Sequence, residues 1–265
     1  VSFARNLSLL VACGALIFGC GKEKSTEKKS VAEKDPLEIK YSIRTQWAHD
    51  PTAFIEGLEI HDGQLYESTG QNGTSWLGIL DINQGKLDKK ITLDKKYFGE
   101  GFTIFNNKIY QLTWTTKVGF IYDLKTFKKL GEFNYETPGW ALTHDSTNLI
   151  MSDGTENLYF LDPVSLKSVR VLKVTDESGP VKNVNELEYV DGYIFANIWE
   201  TDKIVKIDAK TGKVVGRLDL SALTRDAKMR NSQADVLNGI AYHPTTKLFL
   251  VTGKHWPIVY VLNFK

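Results

Sequence analysis

At 265 residues, with 42% hydrophobic and 25% charged side chains, the chain has the composition of a globular protein large enough for one substantial core. Its 33 basic and 32 acidic residues nearly cancel and are mixed along the chain, which excludes the electrostatic footprint of a nucleic-acid binder. Seven prolines and 21 glycines are too few for a chain that is mainly disordered.

The first residues differ in kind from the rest. One basic residue, Arg5, leads into an apolar run from Leu7 to Phe18 that ends at Gly19-Cys20. A run of about a dozen residues is too short to cross ~30 Å of hydrocarbon as a helix. It has the length of a signal-peptide core with a small residue at the cut site. Ile17-Phe18-Gly19-Cys20 resembles a bacterial lipobox, departing from it at Phe18, so residues 1–19 are expected to be a lipoprotein signal peptide and Cys20 the lipidated residue. An uncleaved anchor and a plain secretory signal are the alternatives. Cys13 and Cys20 are the only cysteines, so the domain downstream has neither a disulfide nor a cysteine metal site. Gly21 is not the acidic residue that retains lipoproteins at the inner membrane, which favours an exported, outer-membrane or outward-facing placement. Residues 20–36 are rich in Lys, Glu, Ser and Thr and cannot bury enough surface to order themselves. They read as a tether, with the folded domain spanning 37–265.

That domain is built from a repeat. Four segments begin near Gly57, Gly101, Gly139 and Glu186 and reach an apolar-Asp landmark 22 to 24 residues later, at Asp81, Asp123, Asp162 and Asp208. A fifth begins at Asn238-Gly239-Ile240 and reaches Val259-Tyr260-Val261 at a matching distance. Short alternating apolar runs, broken by Asp-Gly, Asn-Asn and Lys-Thr-Gly, are strand-and-turn signatures. One short helix is expected near Ser221 to Arg230. Four strands per unit at a period of about 40 residues is a propeller blade, so the fold is all-β, a five-bladed β-propeller. The last unit ends one strand short, and Leu37 to Trp47 can supply that strand, closing the ring with the N-terminal end of the domain.

In an antiparallel blade the start of the innermost strand and the end of the second lie on one face. The starts carry Phe54, Glu56, Glu100, Trp140, Asn185, Glu186 and Asn238. The second strands end at Thr69, Trp114, Asp153, Trp199 and Lys254-His255-Trp256. These are expected to converge on one mouth of the central channel. Singly, each has a bland reading: a blade-packing tryptophan, a backbone-capping carboxylate, a solvated lysine. Together, three tryptophans with a carboxylate, an amide and a lysine in equivalent places form a small-ligand site.

The segments Phe54-Ile55-Glu56-Gly57-Leu58, Phe98-Gly99-Glu100-Gly101, Leu112-Thr113-Trp114, Gly139-Trp140, Asn185-Glu186, Ala196-Asn197-Ile198-Trp199 and Thr252-Gly253-Lys254-His255-Trp256, in this order, resemble the plant and bacterial glutaminyl cyclotransferase family. The resemblance implies a zinc-independent propeller with no cofactor. It implies conversion of the N-terminal glutamine of a peptide or protein to pyroglutamate, with release of ammonia. It assigns acid–base catalysis to Glu100, polar contacts to Asn185 and Lys254, an aromatic box to Trp114, Trp140 and Trp199, and a wall to Phe54. The expected partners are glutaminyl peptides, and a membrane through the lipid on Cys20, with the protein a monomer.

One departure stands out. The family usually has Thr-Gln where this chain has Ile55-Glu56. An ionised Glu56 beside the substrate amine would hold it as ammonium, and two close carboxylates couple their titrations. Glu56 is therefore expected to be turned away, protonated, or the cause of a shifted pH optimum. Two other functions stay open. A metal-dependent, lactonase-like hydrolase could use Glu56, Glu100, Asp153, Asn185 and Asn238 as oxygen ligands. A non-catalytic binding propeller would retain the pocket alone. The five histidines show no zinc spacing and read as surface or turn residues.

Overall fold

The structure, a computed structural model, describes residues 35–82 and 86–265. The expected signal peptide, Cys20 and nearly all of the tether lie outside the described residues. In chain order, β1 (Tyr41–Ala48) precedes five units. The first holds β2 (Ile55–His61), β3 (Gln64–Thr69), β4 (Trp76–Asp81) and β5 (Lys86–Thr92). The second holds β6 (Gly99–Phe105), β7 (Lys108–Thr113), β8 (Val118–Asp123) and β9 (Lys129–Asn134). The third holds β10 (Leu142–His144), β11 (Leu149–Ser152), β12 (Asn157–Leu161) and β13 (Ser168–Lys173), followed by a small hairpin, β14 (Thr175–Asp176) and β15 (Gly179–Pro180). The fourth holds β16 (Val184–Val190), β17 (Tyr193–Ile198), β18 (Lys203–Asp208) and β19 (Val214–Asp219). Helix α1 (Ser221–Arg230) then leads to β20 (Leu237–His243), β21 (Leu248–Gly253) and β22 (Ile258–Phe264).

Each unit is a four-stranded antiparallel blade, and the fifth is completed by β1, which pairs with β22 from Tyr41↔Phe264 to Ala48↔Ile258. The closing strand starts later than its apolar pattern implied. Residues 37–39 instead bond the outer strand of blade four, with Arg217 N donating to Leu37 O and Ile39 N to Arg217 O. That contact ties the incoming chain to one blade before it enters the next.

The repeat landmarks have local causes. Asp62-Gly63, Asn106-Asn107 and Asp191-Gly192 all adopt positive φ, the left-handed pair that a two-residue hairpin requires. Asp123, Asp162 and Asp208 each accept backbone N–H groups two or three residues on, which turns the chain from the third strand into the fourth.

The innermost strand of every blade has a free edge facing the channel, and its N–H groups need acceptors. In the first, second and fifth blades, carboxyl groups from other blades supply them. Glu186 accepts from Leu58 N and Ile240 N, Glu59 accepts from Ile104 N, and Glu188 accepts from Tyr242 N. Burial raises all three: Glu59 to about 8, Glu186 and Glu188 well above the ordinary carboxylate range.

His49 corrects the expectation of surface histidines. It is buried, with Nδ1 bonded to Trp256 O at 2.7 Å and Nε2 to Glu67 at 2.9 Å. Burial opposes its charge, but the Glu67 carboxylate outweighs burial and raises the imidazole above its ordinary value.

These groups fix a pH dependence. A carboxyl group raised in the fold keeps a proton that the unfolded chain releases above ~4.3, so it costs stability as pH rises through its folded value. A raised histidine contributes stability that is full below ~6.5 and lost as pH climbs through its own folded value. Both act in one direction. The melting temperature is expected to fall from about pH 4.3, the unfolded carboxyl value, towards about pH 8, the folded Glu59 value, and Glu59→Gln, which keeps an acceptor for Ile104 N, should flatten that slope. Parallel pH profiles for the two proteins would contradict this account of the channel.

Candidate active site

At the face where the inner strands begin, a cavity of about 340 Å³ opens at the channel mouth. Its lining brings together all eight residues singled out for substrate chemistry: Phe54, Glu56, Glu100, Trp114, Trp140, Asn185, Trp199 and Lys254. Phe98, Asp235 and Val236 complete it.

Two features of the backbone place these side chains. First, one ladder rung recurs in four blades: Gly70 N donates to Phe54 O, Trp114 N to Phe98 O, Trp199 N to Asn183 O, and Lys254 N to Val236 O. Second, just beyond that rung the inner pair slips register, between Ile55 and Gly57, Gly99 and Phe102, Val184 and Leu187, and Leu237 and Ile240. The slip is a β-bulge, which re-aims side chains at a strand end. Glu56, Glu100, Asn185 and Asn238 all fall in it. Neighbouring blades then hold the bulges in place. Ser68 Oγ donates to Glu100 O, Ser152 Oγ to Asn185 O, and Asn238 Nδ2 to Ile55 O.

Glu56 and Glu100 form the floor, both nearly inaccessible to solvent. Glu56 faces the cavity, so the expectation that it turns away is wrong. Lys254 Nζ donates to its Oε1 at 2.7 Å and Asn238 Nδ2 to its Oε2 at 3.2 Å. Its carboxyl also lies close enough to that of Glu100 for each to perturb the other. Burial pushes Glu56 up to about 7, with the Lys254 charge pulling the other way. Burial and then the Glu56 charge push Glu100 well above the ordinary range. The partners explain the order. Lysine sits on Glu56, so Glu56 is the member that ionises, and Glu100 keeps the shared proton.

The walls are aromatic. Trp140 and Trp199 meet edge to face with centroids 5.5 Å apart, while Phe98 bridges Phe54 at 6.0 Å and Trp114 at 5.6 Å. Lys254 Nζ lies 4.3 Å from the Phe54 ring centre, a cation–π contact that adds to its ion pair. Two glycines make room. A Cβ on Gly70 would lie 2.4 Å from the Phe98 ring, and one on Gly154, at φ +81°, would lie 2.5 Å from the Trp140 ring. Asn185 is buried at the cavity wall, and its side-chain amide makes no hydrogen bond within the described residues.

Other expected members of the mouth lie elsewhere. Thr69 Oγ1 is used on the Trp76 backbone, and Asp153 is held by Thr155 and by the Tyr159 hydroxyl. Trp256 is wholly buried beneath Gly253, donating Nε1–H to Asp235 O at 2.9 Å. Asn238 stands behind Glu56 and Glu186 within the channel, where each carries a structural bond. Of the oxygen ligands weighed for a hydrolytic metal, Asp153 is engaged elsewhere, and both Glu56 oxygens are taken by Lys254 and Asn238. Among the described residues no group of three or more His, Cys, Asp or Glu has metal-binding geometry.

Phe98 and Val236 had a readable signal. The pattern Phe-x-Glu-Gly occurs twice, at Phe54–Gly57 and Phe98–Gly101, and the residue two before each bulge position is the rung residue, which lines the wall in three of the four blades. Asp235 comes from the segment after α1 and had no repeat to mark it.

Five blades with a buried carboxyl pair beneath an aromatic box define a propeller with a small-ligand pocket at its channel mouth. The chain belongs to the glutamine cyclotransferase family, whose sequence profile matches residues 15–264. It is 38% identical over 227 residues to a glutaminyl-peptide cyclotransferase of Arabidopsis thaliana, spanning 84% of this chain and 71% of that protein. The crystal structure of Myxococcus xanthus glutaminyl cyclase superposes with a TM-score of 0.81 at 33% identity, covering 87% of this chain and 99% of the other.

Proposed function

We infer that this chain is a glutaminyl-peptide cyclotransferase that closes N-terminal glutamine to pyroglutamate and releases ammonia. The observation that carries the reading is the buried Glu56–Glu100 pair, with Lys254 bonded to Glu56, at the floor of an aromatic-walled cavity of about 340 Å³.

The reaction joins two ends of one residue. The α-amine attacks the side-chain Cδ, forming a C–N bond. The tetrahedral centre then expels its original nitrogen as ammonia, and one proton moves from the attacking to the leaving nitrogen. Proximity is built into the substrate, so the protein must manage protons and the oxyanion. A free α-amine has a pKa near ~7.7–8.0 and is largely ammonium at neutral pH. The apolar walls made by Trp114, Trp140 and Trp199 with Phe54 and Phe98 disfavour that charged form.

Glu100, protonated in the resting site, gives its proton to the departing nitrogen and recovers one from the attacking amine. Donors to such a centre are worth roughly 10²–10³-fold each; the unused Asn185 amide takes this place. Lys254 acts first on Glu56, neutralising the charge that would otherwise hold the substrate as ammonium. This gives Glu56 a place in the mechanism despite the departure from glutamine. It is the ionised partner that keeps Glu100 protonated.

The test is turnover with matched peptides. A peptide beginning with glutamine is expected to lose ammonia and become resistant to N-terminal sequencing. Its N-acetyl counterpart, with no nucleophile, should stay intact. Equal loss from both would make the activity a side-chain amidase and sink the reading.

A further inference from the structure

Asp235 differs from every other charged group at the cavity. Glu56 is paired with Lys254, and Glu100 holds a proton, so these three together are near neutral. Asp235 is exposed, lines the same cavity, and its side chain makes no hydrogen bond or ion pair within the described residues. The site's residual charge is therefore the single negative charge of Asp235.

Its position is fixed from the backbone. Asp235 N donates to Lys254 O at 2.8 Å, Lys254 N donates to Val236 O at 3.0 Å, and the buried Trp256 indole holds Asp235 O. Asn231, just after α1, donates to His255 O at 2.8 Å and clamps the same segment onto the β21–β22 turn. Asp235 is thus an exposed member of the cavity lining, backbone-paired with Lys254. Glu56 and Glu100 are buried at the cavity floor, whereas Asp235 is exposed.

Those facts separate it from the reacting atoms. The attacking amine, Cδ and leaving nitrogen must all sit at buried Glu100, so an exposed residue of the same lining faces the peptide that leaves the cavity. Each extended residue advances the chain by about 3.3–3.6 Å, so the second residue reaches the rim. Resting on the cyclotransferase reading, we propose that Asp235 is a specificity-determining residue that favours substrates with a lysine or arginine directly after the N-terminal glutamine.

An exposed pair contributes roughly 0.2–1 kcal/mol, up to about a fivefold preference. The experiment compares kcat/KM for peptides beginning Gln-Lys, Gln-Ala and Gln-Glu, using the full chain, at low and high salt. Wild type is expected to rank them in that order, with the Gln-Lys to Gln-Glu ratio near fivefold at low salt and compressed at high salt. Asp235→Asn should bring the ratio close to one, and Asp235→Lys should invert it. Because the readout is a ratio within one protein, partial loss of folding or turnover does not mimic it. Equal kcat/KM for the three peptides in wild type, or a ratio untouched by Asp235→Asn, overturns the proposal while leaving the cyclotransferase reading intact. Failure of all three peptides to cyclise overturns the cyclotransferase reading instead.

Discussion

Glu100→Gln is expected to lower kcat for a glutaminyl peptide by roughly 10²–10⁴-fold, the range removed with a positioned acid–base group. The substitution preserves shape and leaves the Ser68 hydrogen bond to the residue 100 carbonyl untouched. It also removes a buried ionisable group already held neutral in the resting protein, so melting temperature should change little near neutral pH. KM should move far less than kcat, because the aromatic walls and Asn185 still hold the substrate. A rate within about threefold of wild type would remove Glu100 from proton transfer. A comparable fall in melting temperature would assign it a structural role instead.

Glu56→Gln is expected to move both limbs of the kcat–pH profile to lower pH. On the alkaline side, activity ends where Glu100 gives up its proton. The Glu56 charge raises Glu100 and the Lys254 charge lowers it. Removing the first and freeing the second both pull Glu100 down, so activity is lost at lower pH. On the acid side, activity begins when the bound amine becomes neutral. Deleting a nearby negative charge lowers the pKa of the bound ammonium, so activity begins at lower pH too. The substituted amide can still accept from Lys254 or Asn238, which keeps the floor packed. Profiles that overlay would show that the carboxyl pair does not share its proton.

Much of this was legible in the chain because propeller blades repeat themselves. The landmark aspartates, the Asp-Gly and Asn-Asn turns and the short alternating runs each encode local geometry, so they fixed blade number, ring closure and the helix near Ser221. The eight site residues were legible for a related reason. They occupy equivalent places in successive blades, and their order matches a family motif. What escaped was non-local. His49 reads as a polar loop residue, and only the ring closure brings it against Glu67 and the Trp256 carbonyl. Trp256 lies two residues after Lys254 yet points the other way, because the turn places its indole under Gly253. Asp235 depends on how a helical insertion docks onto a hairpin. Glu56 needed its neighbours: a carboxylate replacing an amide looks disruptive until Lys254 and Asn238 are seen to hold it.

The central claim is best tested by ammonia release from a glutaminyl peptide by the purified full chain, quantified against pyroglutamyl product in the same sample, with and without EDTA. The account predicts one ammonia per pyroglutamyl peptide at a rate indifferent to the chelator. No product from folded protein, or release that stops with EDTA, would contradict it.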